Sequence, residues 1–70
     1  MHIGNRIKEV MKQNDIGIRE LSNAIGSELS NTYRILKKEN IDITLLIRIS
    51  KALKHNFFKD LSNEFEEEKG

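Results

Sequence analysis

Apolar residues fall at helical spacing in five successive segments of this chain, each closed by a polar or glycine-containing break. In the first segment, Ile3, Ile7, Val10 and Met11 form the i, i+4, i+7, i+8 stripe of an amphipathic helix over Ile3–Gln13. Arg6, Lys8, Glu9 and Lys12 take the wet side, and Asn14-Asp15 ends the helix. A second helix follows, with Gly17 as N-cap and Glu20 placed to reach back to a free backbone N–H. Ile16 and Leu21 stand at the positions of a hydrophobic staple, and Ile18, Leu21, Ser22 and Ile25 make the inner face. Gly26 then supplies the residue type best able to take positive φ at a helix C-terminus.

The third helix is less sharply written. Ser27 or Glu28 must cap it, and only serine is a preferred cap type. Its inner face reads as Thr32, Ile35 and Leu36, a thin stripe that Leu29 either joins or points away from. A loop is expected between Lys37 and Asn40, after which Asp42 as N-cap, with Ile41 and Leu46 as staple, starts a fourth helix to about Lys54. This helix is the most apolar and is expected to be the central buried strut, with Ile43, Leu46, Ile47, Ser50 and Leu53 inward and Leu45 and Ile49 widening that face. Asn56 can cap a last helix carrying Phe57, Phe58, Leu61 and Phe65, which holds all three phenylalanines of the chain. These rings either close the core or partly face a second subunit. Leu21, Ile25, Ile35, Leu46, Ile47 and Leu53 are the expected core. Residues 1–63 form the expected domain, and 64–70 an acidic, frayed tail.

Composition narrows what such a helical chain can be. Seventy residues make one domain with a small core, one that buries roughly 60% of the surface exposed by the unfolded chain. Cysteine is absent, so neither disulfides nor thiolate metal sites reinforce it, and stability must come from helix packing. Proline is absent too, as suits a helical chain. Unbroken apolar runs reach two or three residues, too short to span a membrane, and the N-terminus has no apolar signal region. The expected location is the cytoplasm. The net charge of +1 divides unevenly: residues 1–58 carry ten Lys/Arg against six Asp/Glu, and residues 59–70 two against five. A mildly basic body (+4) with an acidic end (−3) is compatible with a nucleic-acid partner.

Catalytic chemistry finds little support. His2 and His55 lie far apart at helix edges, where surface or capping roles are the expected ones. There is no HExxH, no phosphate-cradling glycine loop and no His/Cys cluster, so no enzyme activity, metal or cofactor is expected. The third helix is richer. Between Leu29 and Lys38 the charges are Arg34, Lys37 and Lys38, with Ser30, Asn31 and Tyr33 interleaved and no acidic residue among them. Ser30, Arg34 and Lys37 share one side of that helix, with Asn31, Tyr33 and Lys38 beside it. Arginine pairs bidentately with guanine, asparagine with adenine, and serine or lysine with phosphate.

Residues 16–36 resemble the helix-turn-helix of the phage-repressor (Cro/CI-like, or xenobiotic-response-element) family. The resemblance rests on Ile16, Gly17, Glu20-Leu21-Ser22, Ile25-Gly26 and Arg34-Ile35 in order and spacing. It extends to Ile3-Gly4-x-Arg6-Ile7 and to Ile47-x-Ile49-Ser50-Lys51-Ala52-Leu53, covering roughly residues 3–62. It implies an all-α, compact five-helix bundle in which helices 2 and 3 form the helix-turn-helix and helix 3 enters the major groove of double-stranded DNA. Carried onto this chain, Ser30, Asn31, Tyr33 and Arg34 become candidates for base or near-base contact. Lys37 and Lys38 become candidates for phosphate, and Arg19 a further one. The chain departs from the family pattern at Ser27 and Thr32, which are more polar than usual, and at Ile18, where a phosphate-fixing glutamine is common. Leu29 stands where a polar base-reading residue is usual, and could meet only a thymine methyl or a protein partner. The family reading also implies a homodimer on DNA, with Leu61 and Phe65 as interface candidates. The competing expectation is a protein-interaction module or antitoxin-like protein that keeps the fold and binds a protein partner.

Overall fold

A computed structural model of the chain describes residues 1–69, and side chains as far as Glu67. Five helices follow one another: α1 (Ile3–Gln13), α2 (Ile18–Ile25), α3 (Leu29–Leu36), α4 (Ile43–Leu53) and α5 (Phe57–Lys69), with no strand among the described residues. Each begins and ends for local reasons. His2 caps α1, its Nδ1 accepting from the Asn5 N–H at 3.0 Å. Gly17 caps α2 through its backbone only, Ile16 packs half-buried against the core beside buried Leu21, and Glu20 stays exposed. At the other end of α2, Gly26 takes φ 66°, and the N–H groups of Gly26 and Ser27 close onto the carbonyls of Asn23 and Ser22. This left-handed stop disfavours any side chain with a Cβ. Asp42 caps α4, accepting from the Leu45 N–H at 3.1 Å, and Asn56 caps the start of α5 by accepting from the Lys59 N–H.

The core gathers Ile3, Ile7, Val10 and Met11 from α1, Leu21 and Ile25 from α2, and Ile35 and Leu36 from α3. Leu46, Ile49 and Leu53 of α4 and Phe57 of α5 complete it. The α2–α3 junction buries polar groups as well. Ser22 and Thr32 are both buried, with their hydroxyl oxygens 2.8 Å apart. Thr32 Oγ1 donates to the Glu28 carbonyl (3.0 Å), while the Ser22 hydroxyl lies 2.8 Å from both Thr32 Oγ1 and the Ile18 carbonyl. Neither hydroxyl is stranded, which is the condition for burying one without a net loss.

Two expectations about α4 are overturned. Ile47 is not core but 40% exposed, and Ile43 is 68% exposed. Leu46, Ile49 and Leu53 face inward, with Leu45 half-buried beside them, so the inward face is turned away from Ile43 and Ile47. The reason is that α4 is apolar at 43, 45, 46, 47, 49 and 53, more than half of its circumference, so its own periodicity does not settle which of them face inward. Packing against the other helices does. Accordingly α4 is only partly a buried strut. The Ser50 hydroxyl is buried without a hydrogen-bond partner among the described residues.

Gly4 has a role that its place in a sequence pattern does not reveal. The first N–H groups of α1 pair with the chain leaving α3: Ile3 donates to the Glu39 carbonyl and Gly4 to that of Lys38, both at 2.9 Å. A Cβ on Gly4 would lie 2.7 Å from Lys38 O and closer still to Leu36 O, both backbone atoms. Only glycine permits this approach.

Of the three phenylalanines only Phe57 is buried, Leu61 packs half-buried against the core, and Phe58 and Phe65 are exposed. Polar ties also hold α5. Asp60 Oδ2 accepts from Arg6 Nε (3.0 Å) and lies 2.6 Å from His55 Nε2. Partial burial pushes the Asp60 carboxyl up, but the hydrogen bonds to His55 and Arg6 outweigh it and hold the carboxyl below its usual value. The Arg6 guanidinium is correspondingly raised by its hydrogen bond to Asp60. α5 runs across residue 63 to Lys69, and Glu64 accepts from the N-terminal ammonium at 2.6 Å. Gly70 lies outside the described residues.

Candidate nucleic-acid interface

The outer face of α3 is defined by what its inner face buries. With Thr32, Ile35 and Leu36 turned into the core, helical geometry leaves Ser30, Arg34 and Lys37 on the opposite side. Ser30, Asn31, Tyr33, Arg34, Lys37 and Lys38 are all exposed, Tyr33 at 52%. Leu29 is half-buried and lies outside the core cluster. Glu28, not Ser27, is the N-cap of α3, and its side chain makes no capping bond. Ser27 Oγ instead accepts from Asn31 Nδ2 at 2.9 Å and sits 3.3 Å from the Glu28 carbonyl. Asn31 is thereby tethered to the turn before α3, with its second amide N–H and its carbonyl still available. The exposed Glu28 carboxylate favours the positive end of the helix dipole and opposes a phosphate approaching that end.

One carboxylate, Glu28, stands among the basic side chains of this face. Among the described residues, no ion pair ties Arg19, Arg34, Lys37, Lys38 or Arg48. Ser30, Asn31 and Arg34 line one open cleft that also receives Arg48 of α4, and Arg48 with Lys51 lines the next one beside Asn23 and Gly26. Arg19 stands exposed in the first turn of α2, away from those clefts. Arg48 is the residue that reading the chain did not single out. Leu45 and Arg48 are three apart on α4 and share a side, so the signal was available once Leu45 is placed toward α3. Ile18 packs against the core, which accounts for an apolar residue at that departure from the family pattern. The buried pair with Ser22 accounts in the same way for Thr32.

The sequence comparison decides the family. A family model of the Cro/C1-type HTH DNA-binding domain matches residues 6–63 of the 70. The chain belongs to the Cro/C1-type helix-turn-helix family. Its five-helix, all-α architecture is that of the family, with α2 and α3 as the helix-turn-helix, and the family is a DNA-binding one. No curated protein and no solved structure gives a significant match to the chain. Among the described residues, no helix is long and apolar enough to cross a membrane, and no group of three or more His, Cys, Asp or Glu is placed to hold a metal ion.

Proposed function

We propose that this Cro/C1-type domain is a bacterial or phage-type transcriptional regulator that occupies operator DNA as a homodimer, with α3 in the major groove. The observation that carries the reading is the outer face of α3, where exposed Arg34 without an ion-pair partner stands among Ser30, Asn31 and Tyr33. In this reading Arg34 pairs with guanine and Asn31 uses its remaining N–H and carbonyl on adenine, while Ser30 and Tyr33 contact bases or the adjoining backbone. Lys37, Lys38 and Arg19 neutralise phosphates, and Arg48 joins them from α4. Leu29 supplies at most an apolar contact to a thymine methyl. Charge gives affinity and the few base contacts give selectivity. A domain of this size makes few contacts of its own, so two copies on half-sites about one helical turn apart give the tight binding.

Selection of bound duplexes from a random pool tests this. The expected result is enrichment of a two-fold symmetric site with half-sites about 10 base pairs apart. The second reading, a protein-interaction or antitoxin-like module on the same fold, is favoured by the exposed apolar side chains Ile43, Ile47, Phe58 and Phe65. No enrichment, together with no binding to random duplex DNA at low salt, would select it.

A further inference from the structure

One exposed side chain on the outer face of α3 is already held by a residue outside that helix. Asn31 Nδ2 donates to Ser27 Oγ at 2.9 Å. Ser27 is itself fixed from both sides. Behind it, the left-handed Gly26 (φ 66°) turns the chain so that the Ser27 N–H reaches the Ser22 carbonyl at 2.9 Å. Ahead of it, the Ser27 hydroxyl donates to the Glu28 carbonyl at 3.3 Å, so it meets Asn31 as an acceptor. We infer that Ser27 is a positioning residue for base selectivity. By occupying one Asn31 N–H, it makes α3 prefer adenine over guanine at the base pair that Asn31 meets. The inference rests on the DNA reading of α3 proposed above and names what sets one of its base choices.

The supply of donors decides the base. An asparagine amide has two N–H donors and one carbonyl acceptor. In the major groove guanine shows two acceptors, N7 and O6, whereas adenine shows the N7 acceptor beside the N6 donor. An untethered asparagine can turn both N–H groups toward guanine, or one N–H and its carbonyl toward adenine. With one N–H spent on Ser27, Asn31 keeps a single donor and the Oδ1 acceptor. That set matches adenine and leaves one guanine acceptor without a donor. The reversed amide, with Oδ1 toward Ser27, would need the Ser27 proton turned away from the Glu28 carbonyl. The tether is not what closes the turn. Backbone bonds from Gly26 and Ser27 do that, while Ser27 is half-buried and Asn31 exposed. Removing the Ser27 hydroxyl therefore frees the amide and leaves the helix pair in place.

The test uses the full chain and the duplex enriched from a random pool, with each base pair of one half-site replaced in turn. Affinity is read by fluorescence anisotropy. N31A locates the relevant base pair as the one whose preference it removes. There, S27A should lower the adenine-over-guanine ratio about two- to tenfold, the worth of one hydrogen bond. S27T, which keeps the hydroxyl, should match the wild type. Preferences at the other base pairs, affinity for random duplex and its salt slope should be the same in S27A as in the wild type. A measurement on the wild type alone checks the geometry: NMR without DNA should show a nuclear Overhauser effect between the Asn31 amide protons and the Ser27 side chain. An unchanged ratio in S27A, a loss shared by every base pair alike, or no such effect in the wild type overturns the role of Ser27 and leaves the DNA reading standing. An N31A protein that keeps every preference overturns the Asn31 contact as well. A wild type with no base preference at all overturns the whole reading.

Discussion

The α2–α3 junction buries two hydroxyls, whereas the α4–α5 junction leaves isoleucine and phenylalanine on the surface. Each inverts the usual placing of polar and apolar groups, and the causes differ. Between α2 and α3, Ser22 and Thr32 face each other and the carbonyls of Ile18 and Glu28, so each buried oxygen has a partner and the pair fixes how the two helices meet. Directional bonds of that kind suit a junction that has to hold two helices at one angle. Between α4 and α5, the inward face is already filled by Leu46, Ile49, Leu53 and Phe57, and Ile43, Ile47 and Phe58 are left over. One junction is closed on itself. The other leaves apolar side chains in water.

The largest effect that would break this contrast lies in α4. Leu46→Ala should cost about 2–5 kcal/mol in urea unfolding, because Leu46 is 3% exposed and its loss leaves a cavity. A cost below about 1 kcal/mol would mean that the inward face of α4 has been misplaced. Asp60→Asn comes next, at about 1–2 kcal/mol near neutral pH, since it removes the charged acceptor shared by Arg6 and His55. Because the folded carboxyl is held below its usual value, this contribution is complete above about pH 4, where the unfolded carboxyl is ionised. It disappears as pH falls through the lower folded value. Stability of the wild type should therefore drop at acid pH more steeply than that of Asp60→Asn, as unfolding followed across pH would show.

A smaller effect sharpens the α2–α3 side. Thr32→Val should cost about 1 kcal/mol, and a double-mutant cycle with Ser22→Ala should give a coupling of about 0.5–1.5 kcal/mol. Additive losses would mean that the two hydroxyls do not act as a pair. Smallest of all, Ile47→Ala should change monomer stability by less than about 1 kcal/mol, because much of its side chain stays in water. Thermal unfolding of dilute protein measures it, and a loss comparable to that of Leu46→Ala would return Ile47 to the core.

How much of this was legible in the sequence follows the range of the interactions. The start and stop of α2 are local, and Gly17, the Ile16–Leu21 staple and the left-handed Gly26 could all be read directly. The outer face of α3 was legible by subtraction, since Thr32, Ile35 and Leu36 define its inside. The orientation of α4 was not, because apolar residues cover more than half of it and contact with the other helices sets which of them face inward. Arg48 was missed for that same reason. Gly4 and Asp60 depend on approaches from distant segments, the carbonyls of Leu36 and Lys38 in one case and Arg6 in the other. No local pattern encodes either.

The central claim, that α3 reads DNA through Arg34, is tested most directly by comparing wild type and Arg34→Ala on a selected duplex and on a random one. Affinity is followed from about 0.05 to 0.2 M salt, with circular dichroism checking that the variant is folded. The wild type should lose affinity with a log–log slope of about −0.9 per phosphate neutralised and prefer the selected duplex. Arg34→Ala should lose about 1–3 kcal/mol of that preference while remaining helical. A folded Arg34→Ala that discriminates between the two duplexes as well as the wild type does would contradict the claim.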